Sequence, residues 1–267
     1  MSIRKLLSTI LGIAVLSTLL VRANAQMTDQ AAREQVRSIV RSQVHLRPDQ
    51  FLSICRDEGL EQSLAIATVG WRAGSAFIYR ASQTGVEIRE NAIVRHVATD
   101  ADFMYIVAVS SADGSTFRIH GFADSLAEFG KLMTASKMRS SSPEQAEALA
   151  DFYRVVNPEN IPLTPISSLI ELKQAGERQC HSGAKSFDTG QEAFTAWWKH
   201  EKPLYAAVPL QQRVVPRGSG YAVEWIVLSS AGPSGNCGGA PLRARLEVGE
   251  NGQVAKLVVR PLAEGDR

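Results

Sequence analysis

The stretch Pro241-Leu242-Arg243-Ala244-Arg245-Leu246-Glu247-Val248 decides how the chain is read, because apolar and polar residues alternate along it without a break. Leu242, Ala244, Leu246 and Val248 fall on one side of an extended chain, and Arg243, Arg245, Glu247 and Gly249 on the other. Period-two alternation of this kind marks a strand with one packed and one wet face. Asn251-Gly252 follows, and both residues tolerate positive φ, so a hairpin to Val254–Val259 is expected. Upstream, Tyr221–Ser229 and Leu204–Val215 complete a set of four strands. Thr189-Gly190-Gln191-Glu192 has capping-box spacing and is expected to open a helix carrying Phe194, Trp197 and Trp198, which Pro203 ends. The C-terminal part therefore reads as a helix followed by a four-strand antiparallel meander.

Further upstream, Ser167–Gln174 reads as a short helix, and Gly176–Phe187 as a polar loop holding Cys180 and His181. Asn157 to Pro165 contains three prolines and is the best linker. The N-terminal part repeats the mixture of helices and strands. Ala32, Val36, Ile39, Val40 and Val44 recur at helical spacing behind a cap at Thr28 or Asp29, with Arg33, Arg37 and Arg41 on another stripe. Phe51–Phe122 reads mostly as strands, at Ser75–Arg80, Val86–Val97, Phe103–Ser110 and Ser115–Gly121, with a hairpin at Asp113-Gly114. Helices are expected at Ser125 and at Ser142-Pro143, where a cap, a first-turn proline and Gln145 coincide. The class is α+β, with antiparallel sheets packed with helices. The expected organisation is a leader at residues 1–25, an N-terminal domain at 26–157, a linker at 158–165 and a C-terminal domain at 166–267.

The leader expectation rests on Arg4 and Lys5, the charge-free run Leu6–Val21, and the small–x–small site Ala23-Asn24-Ala25. Cleavage there gives a chain starting at Gln26, periplasmic or secreted, with no transmembrane anchor. The 267-residue chain has 29 basic and 27 acidic residues; without Arg4, Lys5 and Arg22 the balance is 26 to 27. A near-neutral chain has no electrostatic footprint for nucleic acid. With 45% hydrophobic and 21% charged residues, the composition excludes a disordered chain, a collagen, a coiled coil or a multi-span membrane protein.

Export makes a disulfide available to two of the three cysteines. Cys180 and Cys237 lie in polar sequence, whereas Cys55 lies in the apolar run Phe51–Cys55. A Cys180–Cys237 bridge is expected, with Cys55 free and buried; pairing through Cys55 is the alternative, since spacing does not fix connectivity.

No sequence motif assigns chemistry. His45, His96, His120, His181 and His200 contain no helical i, i+4 pair, and neither a metal nucleus nor a P-loop, dinucleotide or hydrolase-elbow signature occurs, so no metal or cofactor is expected. Cys237 in its glycine-rich loop, with His181 or His200 as base, is the candidate catalytic set for a hydrolase or transferase. Trp197 and Trp198 are candidate binding aromatics. Asp57, Glu58 and Glu61 form an acidic cluster that reads as a loop or helix start. The function class favoured is an exported, non-enzymatic binding or interaction module for a protein or small ligand, because regular antiparallel sheets offer faces and edges to partners.

Overall fold

The structure is a computed structural model and describes residues 27–46, 50–68, 74–89, 92–95, 104–159, 163–182, 184–206, 208–229 and 237–262. The leader at residues 1–25, Gln26, His96 and Phe103 lie outside the described residues. The class is α+β, and the sheet pairings given below are all antiparallel. No described helix is long and apolar enough to cross a membrane. The chain divides into two compact units, one of residues 1–61 with 72–118, the other of residues 62–71 with 119–267.

In the first unit, α1 (Asp29–Arg41) starts where Thr28 Oγ1 accepts the Ala31 N–H, and it buries Ala32, Val36 and Val40. β1 (Gln50–Arg56), β2 (Ala76–Arg89), β4 (Tyr105–Ser110) and β5 (Thr116–His120) lie in that order, and β3 (Ala92–Arg95) pairs with the far half of β2. Ile106–Val109 of β4 are all buried, as their unbroken apolar run requires. The Asp113-Gly114 turn joins β4 to β5, with Gly114 at φ 72°.

The structure departs from the strand reading of Phe51–Phe122 at two places: Glu58–Ala67 is a helix, α2, and β2 runs unbroken from Ala76 to Arg89 across the expected gap between Arg80 and Val86. The start of α2 is held by acids. Asp57 Oδ1 accepts the Leu60 N–H at 2.8 Å, and Asp57 also pairs with Arg80. Glu61 takes two hydrogen bonds from Arg56, at 2.8 and 2.9 Å, and a third from the Ile78 N–H at 3.0 Å. Side-chain capping outweighed the local apolar pattern here. Cys55 is free but exposed, contrary to the expectation of burial. β1 lies at the sheet's edge, and Cys55 shares its outer side with exposed Phe51.

In the second unit, α3 (Ser125–Ala135) packs on α4 (Pro143–Val156) through Phe129, which meets Phe152 and Tyr153 at ring distances of 5.8 and 5.2 Å. Ser142 caps α4 by accepting the Gln145 N–H. Ser125 instead accepts the N–H of Phe122, before its helix. Leu163, within the proline-rich stretch, and Ile166, just after it, are buried; Ile166 donates its N–H to Ile226 O.

The expected polar loop at 176–187 is largely helical: α5 runs Leu169–Ser182. Leu172, Gly176 and Cys180, four apart, make one buried stripe, with Glu177, Arg178, Gln179 and His181 on the remaining turns. Gly176 is not a breaker. A Cβ there would lie 2.1 Å from the Trp197 ring, so glycine is what lets the next helix approach. That helix, α6 (Phe187–Ala206), starts at Ser186 rather than Thr189: Thr189 Oγ1 accepts the Ser186 N–H, and Ser186 Oγ accepts the Thr189 N–H. It runs through Pro203 instead of stopping there. The lost proline N–H faces the carbonyl of exposed Lys199, where water can replace it, and buried Tyr205 anchors the last turn. The expected strand from Leu204 is accordingly shorter: β6 is Arg213–Arg217.

β7 (Gly220–Leu228), β8 (Pro241–Val248) and β9 (Val254–Pro261) complete a meander in the order β6-β7-β8-β9. The register puts Val223, Trp225, Val227, Ala244 and Leu246 on one face. α4 packs there, with the Arg154 guanidinium 4.9 Å from the Trp225 ring. On the opposite face Ile226 and Leu228 belong to an apolar cluster with Leu172, Cys180, Phe194, Trp197 and Tyr205 of α5 and α6. The two helices therefore cover one end of that face and leave the other end open.

Candidate functional site

The Cys180–Cys237 bridge closes a chain separation of 57 residues. It fastens the stretch after β7 to the buried stripe of α5. Beside it Trp197 Nε1 donates to Gly239 O at 3.0 Å, and the indole lies where a Cβ on Gly238 would sit, 2.3 Å away. Trp197 is thus enclosed, and Trp198 is half-buried against the same cluster. Glycine at 238 serves this packing, whereas at 239 a Cβ would meet Ser229 O at 2.1 Å and the backbone adopts φ 76°.

The bridge engages the Cys237 sulfur, which leaves no thiolate for nucleophilic attack or metal ligation. His181 stacks on Phe187 at 4.8 Å, and His200, largely exposed, lies 3.0 Å from Glu201 Oε1 on its own helix. His120 donates from Nδ1 to Asn157 O at 2.9 Å, and His45 is exposed. No described contact joins any of these histidines to Cys237. Of the acidic cluster, Asp57 caps α2 and Glu61 binds Arg56 of β1 and the Ile78 N–H of β2. In the arginine stripe of α1, Arg33 pairs with Asp29 at 3.7 Å and Arg37 with Glu34 at 2.8 Å.

The open end of the second sheet has a different character. Its register stacks side chains in cross-strand rows on one face. Ala222, Glu247 and Lys256 form one row; Arg213, Glu224, Arg245 and Val258 the next; Ile226, Arg243 and Arg260 the third. Arg217, Glu224, Arg243, Arg245, Glu247, Lys256, Val258 and Arg260 enclose a cavity of about 280 Å³. A register shift beside Glu247 and Val248 places an irregularity of the β8–β9 ladder at its rim.

Five cations and two carboxylates line this cavity. The carboxylates are shared. Glu224 lies 3.0 Å from Arg245 Nε and 3.9 Å from an Arg243 nitrogen, and Glu247 lies 3.1 Å from Arg217 Nε. Arg243 and Glu224 are only 13% and 14% exposed, so this pair is largely out of water. Arg243 sits directly opposite Arg260 across the β8–β9 ladder. Among the described residues, the lining carries three more positive than negative side chains.

Two further depressions are less suited. One of about 390 Å³ is lined by Thr164–Ile166, Glu171, Arg178 and Gln179 among others, but Glu171 accepts from Ser167 and Gln179 donates to Ser229 O. The other, about 730 Å³, has Lys137, Arg139 and Glu250 as its charged residues. No protein-family model, no curated protein and no solved structure matches this chain.

The alternation of Pro241–Val248 marks Arg243, Arg245 and Glu247 as a wet strand face, whereas no local pattern singles out Arg217, Glu224, Lys256, Val258 and Arg260. The signal was present: once the Asn251-Gly252 hairpin sets the register, Arg260 must fall opposite Arg243.

Proposed function

We propose that this protein is an exported binding module and that the basic face of its second sheet holds an anionic partner. The carrying observation is the cavity in which five cationic side chains surround two shared carboxylates. The rigid sheet supports this reading: β7 is buried on both faces along much of its length, so the open end rests on a fixed scaffold. The reading of export rests on the leader pattern, and the Cys180–Cys237 bridge suits an oxidising compartment.

The test uses chain 26–267 on immobilised polyglutamate at about 0.15 M ionic strength. Retention is expected for the wild type and loss for R243Q/R245Q/R260Q. R33Q/R37Q/R41Q, which removes the same charge from α1, is expected to elute with the wild type. Circular dichroism checks that each variant is folded. Equal retention of the two triple variants would overturn the assignment of the face. Fractionation of cells expressing the full chain tests export; a product with Met1 intact in the cytoplasm contradicts it.

A further inference from the structure

We infer that a second site in the same unit, the cavity between α5 and the stretch Thr164–Ile166, holds a zwitterionic tripeptide with an apolar central side chain. This site is independent of the basic face. Its first support is the helix. Glu171, Gln174, Ala175, Arg178 and Gln179 recur at spacings of three and four, so they share one stripe of α5, beside the buried stripe of Leu172, Gly176 and Cys180. That stripe lines a cavity of about 390 Å³, within the range of small-ligand sites. The facing wall is held in place. The ring of Pro165 restricts its backbone, and the Ile166 N–H donates to Ile226 O at 2.8 Å. Gln179 Nε2 donates to Ser229 O, which ties the helix to the stretch following β7.

Charge is the second support. Glu171 stands at one end of the stripe and Arg178 at the other. Opposite charges at the two ends disfavour a simple anion and complement a ligand that carries both signs. The Ser167 N–H and hydroxyl both donate to Glu171 Oε2 at 2.7 Å, which orients the carboxylate. Among the described residues, no contact engages Glu171 Oε1 or the Arg178 guanidinium. Residues 160–162 and 230–236, next in sequence to the cavity's walls and outside the described residues, contain no charged side chain.

Length is the third. Seven helical positions separate Glu171 from Arg178, about 10.5 Å along the axis. Three extended residues span about 10–11 Å, so an ammonium at Glu171 brings the carboxylate to the Arg178 fork. Ala175 lies midway, and its small side chain leaves room for an apolar residue against nearly buried Ile166 and Leu228.

Isothermal titration of chain 26–267 with Ala-Leu-Ala tests this at about 0.15 M ionic strength. Saturable one-to-one binding is expected. N-acetylation or C-amidation of the peptide should each weaken it about fivefold, the size of one exposed ion pair. E171Q should weaken Ala-Leu-Ala by a similar factor and leave the acetylated peptide unaffected; R178Q should do the same for the amidated one. Both side chains are exposed, so the variants are expected to fold, and K173Q, outside the cavity on the same helix, should bind as the wild type does. Absence of saturable heat with Ala-Leu-Ala, equal binding of the two blocked peptides, or binding that survives E171Q/R178Q would overturn the inference. Polyglutamate retention by E171Q/R178Q tells the two sites apart: retention that persists while peptide binding is lost supports two separate sites, and loss of both would overturn their independence.

Discussion

Reduction of the Cys180–Cys237 bridge should lower the stability of the second unit by about 4 kcal/mol. The magnitude follows from the separation of 57 residues, because a cross-link of that span removes loop-closure entropy from the unfolded chain, in the chain-entropy account. Local packing adds to it. Cys180 is 1% exposed within the cluster of Leu172, Phe194 and Trp197, and the stretch that the bridge tethers carries Gly238 and Gly239, against which Trp197 rests. Urea unfolding followed by tryptophan fluorescence, oxidised against C180A/C237A, reads the difference. A shift of about 4 kcal/mol corresponds to roughly 8–16 °C in melting temperature for a unit of this size. A difference below about 1 kcal/mol would refute the reasoning, and so would a peptide map that finds Cys55 in the bridge.

Three other outcomes are expected. Gly176→Ala forces a Cβ to within 2.1 Å of the Trp197 ring and should cost about 1–3 kcal/mol by overpacking, read as a lowered urea midpoint. Native alkylation should modify one thiol per chain, at exposed Cys55, and modification of all three would mean the bridge is absent. Glu171 accepts hydrogen bonds from the N–H and hydroxyl of Ser167, at 2.7 Å each, and these hold its carboxyl below the usual carboxylate range. A depressed folded value makes its contribution full above the unfolded pKa, near 4.3, and lost as pH falls through the folded one. The stability gap between wild type and E171A should therefore be constant from neutrality down to about pH 5, at about 0.5–1 kcal/mol, and close below pH 4. A gap that widens in acid would contradict it.

The second sheet was legible because each strand announced its own face and the Asn251-Gly252 turn fixed how two of them meet. The disulfide was legible from the polar setting of Cys180 and Cys237. What failed depended on partners distant in sequence. Gly176 looks like a break until Trp197 is placed above it, and Pro203 looks like a stop until Tyr205 is seen anchored beyond it. The burial of Cys55 was misread because an apolar run does not reveal that its strand lies at an edge. The basic face escaped for a related reason. Its cations come from three of the meander's strands, each with an ordinary polar pattern, and only the register gathers them. Net charge concealed it further, since acids elsewhere balance the surplus.

Amide chemical-shift mapping tests the central assignment most directly. Isotope-labelled chain 26–267 is titrated with polyglutamate at about 0.15 M ionic strength. The expected result is a contiguous set of saturable shifts on β7, β8 and β9, centred on Glu224, Arg243, Arg245, Lys256 and Arg260. Residues Trp225 and Ala244, whose side chains lie on the opposite face, should shift less. Shifts centred on Arg33–Arg41 of α1, or scattered with no saturation, would contradict it.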